Sequence, residues 1–219
     1  METRISRADA DRVEVRGLDL TGDLMGRLSF TEYFHLLLRG REPTERERFM
    51  LDVLLLAIAE HGLMPSNVVA RTTYAAAPES LQGAVAAGIL GAGSVILGAA
   101  EDCAYLLVDV QERGARQVVS GLHDAGARIP GFGHPLHKPL DPRAERILEL
   151  ADDGRYVALT HELRGVVHEV YAKPLTLNVS LPIAAVLLDF GWEPELVKAV
   201  PILARTASLL AHLAEQRGA

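Results

Sequence analysis

The residues best suited to chemistry in this sequence lie close together between Gly131 and Arg143. The segment reads Gly-Phe-Gly-His-Pro-Leu-His-Lys-Pro-Leu-Asp-Pro-Arg. Its glycines and prolines exclude regular structure as far as Leu140, so a stiffened loop is predicted. The segment gathers four potential hydrogen-bond donors, namely His134, His137, Lys138 and Arg143. A small anionic ligand would explain such a set in a protein whose formal charge is -7.

A helix is predicted to begin where this loop ends. Asp141 is a good N-cap, and Pro142 suits the first helical position. Arg143 then lies in the first turn, where it faces the positive end of the helix dipole at a cost of about 0.3–1 kcal/mol. A bound anion would remove that cost. The alternative is a solvated loop in which Arg143 pairs with Glu145 or a more distant carboxylate, and the residues alone leave both open.

Other chemistries find less support in the sequence. His134 and His137 are three positions apart, but a proline-rich loop is not a helix face, and no nearby Cys or carboxylate completes a metal-ligand set. No metal is therefore expected. Cys103 lies in an Ala-rich helix and is interpreted as a small core residue, since nothing near it in the sequence would lower its pKa. No phosphate-binding loop, dinucleotide fingerprint or serine-nucleophile elbow occurs.

Apolar residues recur at spacings of three and four, which predicts an all-α protein. Ser29–Glu32 is a capping box that opens a helix through Leu38, with Gly40 at its end. A second box, Thr44–Glu47, opens a helix that runs to His61, and the two helices are expected to form a hairpin. Further helices are predicted over about 66–77, 80–91, 95–113, 115–125, 142–152, 157–172, 175–190 and 194–216. Only the segment 13–16 alternates like a strand, and it is considered too short to make a sheet.

Composition narrows the class of protein. The 219 residues include 22 Lys plus Arg and 29 Asp plus Glu, and 49% are hydrophobic. This acidic balance predicts a globular protein with neither nucleic acid nor a membrane as partner. The single cysteine excludes an intramolecular disulfide and favours a cytoplasmic location. The start, Met1-Glu2-Thr3-Arg4, lacks the pattern of a signal peptide, and polar residues interrupt every apolar run.

The loop sequence resembles a family signature. Gly131 to Ala144 aligns without gaps with G-F-G-H-R-V-Y-K-N-Y-D-P-R-A, the signature of the citrate synthase family. Val15–Asp19 resembles the family's R-G-Y-D-I stretch, and Tyr33–Thr44 resembles its Y-L-L-L-x-G-x-L-P-T segment. Lys173–Val179 is similar to K-L-Y-P-N-V, and Ala204–His212 to the late A-R-T-x-x-x-x-A-H helix. The resemblance spans nearly the whole chain.

Membership of this family implies an all-α, two-lobed, citrate-synthase-like fold that forms a homodimer. The chain would be a single such unit, with a large lobe of about 1–100 and 176–219 and a small lobe of about 101–175. An Ala- and Gly-rich segment from Ala75 to Ala104 fits an oligomer face or tight packing of a core helix about equally well. A further C-terminal arginine, which the family donates across its dimer, has no counterpart up to Ala219.

The resemblance also implies roles for individual residues. In that family the histidine of G-F-G-H polarises the carbonyl or hydroxyl of oxaloacetate or citrate, and His134 matches it as the catalytic residue. The arginines of D-P-R and A-R-T bind substrate carboxylates, so Arg143 and Arg205 are expected to do the same. His61 matches the oxo-acid-binding histidine of the family's A-D-H-E helix.

Coenzyme A is expected beside this substrate, as a thioester that is consumed or released and not as a tightly bound cofactor. The residues expected to contact it are Gly131, Phe132, Gly133 and Lys138. The partners implied are therefore a small polycarboxylate and an acyl-CoA.

Two positions depart from the family pattern. The motif G-P-L-H-G-G-A-N-E aligns with Gly93–Glu101, so Ile96 replaces the histidine that stabilises the acetyl-CoA enolate. Ser180 replaces the aspartate of P-N-V-D that removes the methyl proton. Neither side chain can take over these functions at neutral pH, so ordinary citrate synthesis is not expected. Helix amides near Gly98, a water on Ser180, or His137 remain as replacements.

Two hypotheses of function follow. The first is an enzyme similar to the short citryl-CoA lyases of the family, which splits citryl-CoA, or a related 3-hydroxyacyl-CoA, into oxaloacetate (or another 2-oxo acid) and acetyl-CoA. The second is a non-catalytic relative that binds a carboxylate metabolite or acyl-CoA as a sensor or partner subunit. The preserved oxo-acid half of the site favours the enzyme.

Overall fold

A computed structural model describes residues 3–218, so Met1, Glu2 and Ala219 lie outside the described residues. The described chain separates into two compact units, one ending at Val53 and the other beginning at Leu54. The predicted division into large and small lobes uses other boundaries and stays a prediction, as does the interpretation of the N-terminal segment that starts at Met1.

The first unit contains a small sheet that the sequence analysis excluded. Strands β1 (Ser6–Ala8), β2 (Val13–Val15) and β3 (Leu18–Asp19) pair antiparallel in the order β1-β2-β3. Arg16 (φ 51°) and Gly17 (φ 82°) both have positive φ and form the two-residue turn between β2 and β3. The expectation of no sheet was therefore wrong, because strands of two or three residues carry too little alternation to be read in a sequence.

The sheet of the first unit leads into helical structure. A π-helical turn (Leu20–Leu24) precedes α1 (Phe30–Arg39). The predicted capping box at α1 is confirmed, with Ser29 accepting from the Glu32 amide and Glu32 accepting from the Ser29 amide, and Gly40 ends the helix in the left-handed conformation. Val15, Leu24 and Leu36 form the buried core of this unit.

The second unit is helical. Helix α2 (Glu45–Ala59) starts in the first unit and ends in the second. The remaining helices are α3 (Pro65–Ala76), α4 (Leu81–Leu97), α5 (Ala99–Arg113), α6 (Ala115–Asp124), α7 (Pro142–Leu150), α8 (Arg155–Val170), α9 (Ser180–Asp189), α10 (Pro194–Val197) and α11 (Ala199–Arg217).

The predicted helices agree with these bounds to within about two residues, apart from three differences. The break predicted between 91 and 95 is present at Gly93, whose φ of 57° and ψ of -170° are not helical, but α4 continues beyond it to Leu97 and α5 begins only at Ala99. The helix predicted over 175–190 begins only at Ser180, because the preceding residues pair with the loop around Phe132. The helix predicted over 194–216 is divided at Lys198.

Helix α9 lies at the centre of the second unit. Every residue from Leu181 to Leu188 is buried, and α5, α7 and α8 pack around the helix. A helix that is apolar on all sides is stable in water only when it is enclosed in this way. The enclosed helix gives the functional loop a rigid support, because that loop is bound to the segment leading into α9.

Two helical stretches are long and apolar enough to cross a membrane, Leu81–Arg113 and Pro194–Arg217. This is weak support for a membrane span, because core helices meet the same criterion. The first stretch is broken at Gly93, and the second contains the buried charge of Arg205. Both features suit packed helices better than lipid-facing ones, and the absence of a membrane partner stays a prediction.

Candidate functional site

The glycine-rich loop is fastened to the segment that precedes α9. Phe132 and Leu177 form an isolated antiparallel bridge. The Gly133 amide donates to the Thr176 carbonyl at 2.7 Å, and the Asn178 amide donates to the Gly131 carbonyl at 2.9 Å. These bonds use backbone groups that a helix over 175–179 would have needed for itself, which is the physical reason why α9 starts late.

Gly131 has a packing role that only glycine can fill. Its φ is 79°, and a Cβ placed on it would lie 2.7 Å from Leu181 Cβ and 3.1 Å from Cys103 Sγ. Cys103 is fully buried at this contact, and burial raises the pKa of its thiol, as expected of a core cysteine. Among the other residues expected to contact coenzyme A, Phe132 is half-buried, whereas Gly133 and Lys138 are exposed.

Asp141 caps α7 and binds Arg143, a pairing the sequence analysis did not foresee. Its Oδ1 accepts from the Arg143 amide at 3.1 Å and from Nε at 3.0 Å, and its Oδ2 accepts from Nη2 at 2.9 Å. Oδ2 also accepts from the Val179 amide at 3.2 Å. The pKa of Asp141 lies below its usual value because these donors outweigh the cost of burial. Glu145, the partner considered earlier for Arg143, binds Arg164 instead.

The hydrogen bonds around His134 define its tautomer. Its Nδ1 accepts from the backbone amides of Leu136, at 3.1 Å, and of His137, at 2.9 Å. A nitrogen that accepts two amide protons cannot carry one itself, so the neutral ring holds its proton on Nε2. Nε2 lies 3.4 Å from Arg143 Nη2, which is also a donor. Two donors therefore face one another, an arrangement that a ligand oxygen between them would satisfy.

Three histidines converge here, although the chain separates the first from the other two by more than seventy residues. His61 Nε2 and His137 Nε2 share a hydrogen bond of 3.0 Å. The His134 and His137 rings stack at 4.4 Å, and the His61 ring meets His134 edge-on at 5.4 Å. All three are half-buried. The pKa values of His61 and His134 are lowered, first by burial and then by neighbouring positive groups, so both rings are neutral at pH 7.

The convergence brings one nitrogen from each ring within 4.8 Å of the others, close enough for a metal site to be considered. The spacing of His134 and His137 in the sequence does not reveal this arrangement, because His61 comes from elsewhere in the chain. However, Nε2 of His134 carries a proton, and Arg143 lies beside it, so a lone pair for a metal is lacking at that ring. Tetrahedral zinc also places its ligand nitrogens only about 3.4 Å apart. The donor set thus suits an anion better than a cation.

Arg205 supplies the second guanidinium of the site. It is 3% exposed, and its Nη1 donates to the Ala59 carbonyl at 3.3 Å, next to the His61 turn. Burial lowers its pKa, Glu60 opposes that shift, and Arg143 adds to it, which places both arginines in one electrostatic environment. Arg205 Nε and Arg143 Nη1 are buried without a hydrogen-bond partner. Buried donors in this state are costly unless a ligand satisfies them.

Glu60 holds the His61 turn against α11. Its Oε1 accepts from the His61 amide at 2.9 Å, and its Oε2 accepts from His212 Nε2 at 3.1 Å and from the Ser208 hydroxyl. Asp141 and Glu60 are thus the carboxylates nearest the histidines and arginines in these contacts, and the oxygens of both already accept hydrogen bonds from protein donors. Positive and donor groups remain in excess, which is the electrostatic signature of a site for an anionic ligand.

The predicted substrate-side residues His61, His134, Arg143 and Arg205 are therefore brought together within the second unit. His137, Asp141 and Glu60 belong to the same cluster. The predicted N-cap role of Asp141 is confirmed, His137 is one of several replacements that the sequence offers, and Glu60 is not singled out by the sequence. Ile96, near the end of α4, and Ser180, at the start of α9, are half-buried. The roles of all these residues stay predictions.

Comparison with known proteins gives a consistent result. The protein-family model described as the citrate synthase C-terminal domain matches residues 1–219 of this chain. A relative from Mycobacterium tuberculosis is 33% identical over 190 residues, which are 80% of this chain and 49% of that protein. Citrate synthase 2 of Bacillus subtilis is 28% identical over 195 residues, covering 84% of this chain and 51% of that protein. The chain thus spans about half the length of these curated relatives.

Solved structures agree in fold. The citryl-CoA lyase from Hydrogenobacter thermophilus superposes with a TM-score of 0.91 at 31% identity, covering 99% of this chain and 86% of that one. The ATP citrate lyase of Methanosaeta concilii in complex with (3S)-citryl-CoA superposes with a TM-score of 0.86 at 20% identity, and the match covers 39% of that chain. The all-α, citrate-synthase-like fold is therefore confirmed, and the chain belongs to the citrate synthase family.

Proposed function

We propose that this protein cleaves citryl-CoA, or a related 3-hydroxyacyl-CoA, to oxaloacetate or another 2-oxo acid and acetyl-CoA. The observation that carries the proposal is the convergence of His61, His134, Arg143 and Arg205 around donors that lack acceptors. The structural likeness to a citryl-CoA lyase along 99% of the chain supports the same reaction.

In this proposal the two arginines bind the carboxylates of the citryl group. Guanidinium groups are suited to this because their charge is permanent and their donors match a carboxylate in pairs. His134 directs its Nε2 proton at the hydroxyl oxygen, which becomes the carbonyl oxygen of the oxo acid. Donors fixed in advance at that oxygen stabilise the negative charge that develops while the carbon–carbon bond breaks.

Coenzyme A enters the proposal as part of the substrate and product. The exposed Lys138 is a suitable contact for its negative charges, with Phe132 and Gly133 beside it. For Gly131 the packing against Leu181 and Cys103 already accounts for the glycine, so its contact with the coenzyme would be through backbone atoms alone.

We further propose that the protein is a homodimer in the cytoplasm. Helix α4 is apolar along its length, yet Leu90 and Val95 are each 81% exposed. Exposed apolar side chains on a helix of this kind are a typical site for association, and a second copy of the chain would cover them.

The second candidate function is binding without catalysis. It is favoured by Ile96 and Ser180, since neither can replace the family's catalytic histidine and aspartate. In that case the site would hold citrate or an acyl-CoA as a signal, and no carbon–carbon bond would break.

The test is release of oxaloacetate from citryl-CoA, followed by coupling to malate dehydrogenase and NADH, with an active citryl-CoA lyase as positive control. Turnover by this protein supports the enzyme. Absence of turnover together with saturable citrate binding in calorimetry supports the binding protein, and absence of both refutes the two functions. His134→Ala is expected to lower kcat if the protein is an enzyme, whereas a binding protein would lose only affinity.

A further inference from the structure

The reaction proposed above requires a proton to move, and His134 cannot move it. Cleavage removes the hydroxyl proton, and the bonding pair passes to the carbon next to the thioester, which must then gain a proton to become a methyl group. His134 already carries its proton on Nε2, because Nδ1 accepts from two amides. It can donate a hydrogen bond to the oxygen but has no free lone pair to act as a base.

The two positions that hold polar catalytic groups elsewhere in the family do not fill this gap. Ile96 has no polar side-chain atom, and Ser180 has no basic partner among the described contacts, where its backbone amide donates to Asn178 Oδ1. A basic nitrogen must therefore come from another residue of the cluster.

The pair formed by His61 and His137 contains such a nitrogen. Their Nε2 atoms are 3.0 Å apart and share one hydrogen bond, so the ring that donates carries its proton on Nε2 and keeps a free lone pair on Nδ1. Burial lowers the pKa of His61, Arg143 and Arg205 lower it further, and Asp141 opposes them in part. A neutral, hydrogen-bonded imidazole with a free lone pair is the usual form of a general base.

Within this pair, His137 is the member with freedom to act. His61 is expected to hold the oxo acid, and its backbone is fixed through Glu60. The His137 ring, in contrast, bridges the other two histidines, lying 5.1 Å from the His61 ring and 4.4 Å from the His134 ring. Its backbone amide fixes the His134 tautomer, and that bond survives a change of the His137 side chain.

We propose that His137 is the proton carrier of the cleavage, which rests on the proposed function. His137 takes the hydroxyl proton as the carbon–carbon bond breaks, and the electron pair of that bond forms the thioester enolate. The imidazolium then returns the proton to the enolate carbon, which yields acetyl-CoA and the neutral ring. Protons and electrons balance without a further reactant.

The test compares His137→Gln and His137→Ala with His161→Gln, a control at an exposed histidine on α8. We expect kcat for citryl-CoA to fall at least ~100-fold in both His137 variants, with KM changed only a few-fold. Added imidazole should restore part of the rate of His137→Ala. His161→Gln should behave as the wild type.

The outcomes separate this proposal from the function on which it rests. An inactive wild type refutes the function and the carrier together. An active wild type with an active His137→Gln variant refutes His137 alone, as does failure of imidazole to restore any rate in a folded His137→Ala. Loss of wild-type activity in a chelator, recovered with zinc, would also overturn the proposal, because the ring nitrogens would then be metal ligands.

Discussion

Replacing Asp141 by asparagine tests whether this buried carboxylate supports the candidate site. Asp141 is fully buried, and its two oxygens accept four hydrogen bonds, three from Arg143 and one from Val179. An asparagine can retain one acceptor oxygen, but its NH2 group would face the two donors at Oδ2. Two bonds to a charged acceptor are lost, each worth about 1.5–3 kcal/mol. The half-buried Arg143 also loses its counter-charge, so the free energy of unfolding should fall by about 3–5 kcal/mol.

The assay is urea unfolding followed by tryptophan fluorescence. Trp192 is the single tryptophan and is 3% exposed within the second unit, so its emission reports the unit that holds Asp141. Glu145→Gln is the matched control, because Glu145 binds Arg164 in a pair whose side chains are 28% and 24% exposed. A partly solvated pair of this kind contributes no more than about 1 kcal/mol.

The pH dependence gives a second readout with a defined sign. The pKa of Asp141 in the folded protein lies below its usual value of 3.8, since Arg143 stabilises the charged form. Its contribution to stability is therefore complete above about pH 4 and is lost as the pH falls through the folded pKa. Wild type and Asp141→Asn should converge in stability at such acidic pH. A difference below about 1 kcal/mol at pH 7, or an equal loss in Glu145→Gln, would refute the reasoning.

Three further predictions concern other parts of the molecule. Arg205→Lys should weaken citrate binding at least ~10-fold in calorimetry, because an ammonium lacks the paired donors of a guanidinium; unchanged affinity would exclude Arg205 from the site. Gly131→Ala should lower the free energy of unfolding by more than about 2 kcal/mol, since its Cβ would lie 2.7 Å from Leu181. The Cβ of Gly133→Ala would meet nothing within 4 Å, so this variant should lose only about 1 kcal/mol through backbone strain. If both glycine variants cost the same in chemical denaturation, the packing argument is wrong. Leu90→Glu should convert the proposed dimer to monomers in analytical ultracentrifugation, and a dimer that persists would place the interface elsewhere.

Much of the helical architecture is encoded locally and was predictable. Capping residues such as Ser29 and Asp141 satisfy amides within a few positions of themselves, so the starts of α1 and α7 follow from short sequence patterns. The break at Gly93 likewise belongs to a residue type that tolerates positive φ. The small sheet and the late start of α9 could not be read in this way, because both depend on hydrogen bonds to other segments.

The sequence by itself determined the chemical groups of the site and, through the signature from Gly131 to Ala144, the family. Tertiary structure decided how those groups are used. It brought His61 to His137, made Asp141 the partner of Arg143, and placed Arg205 in the same electrostatic environment. It also set the tautomer of His134 through two backbone amides. The physical reason is that residue type defines which protons a group can hold, whereas the position of a proton depends on neighbours that only the folded chain supplies.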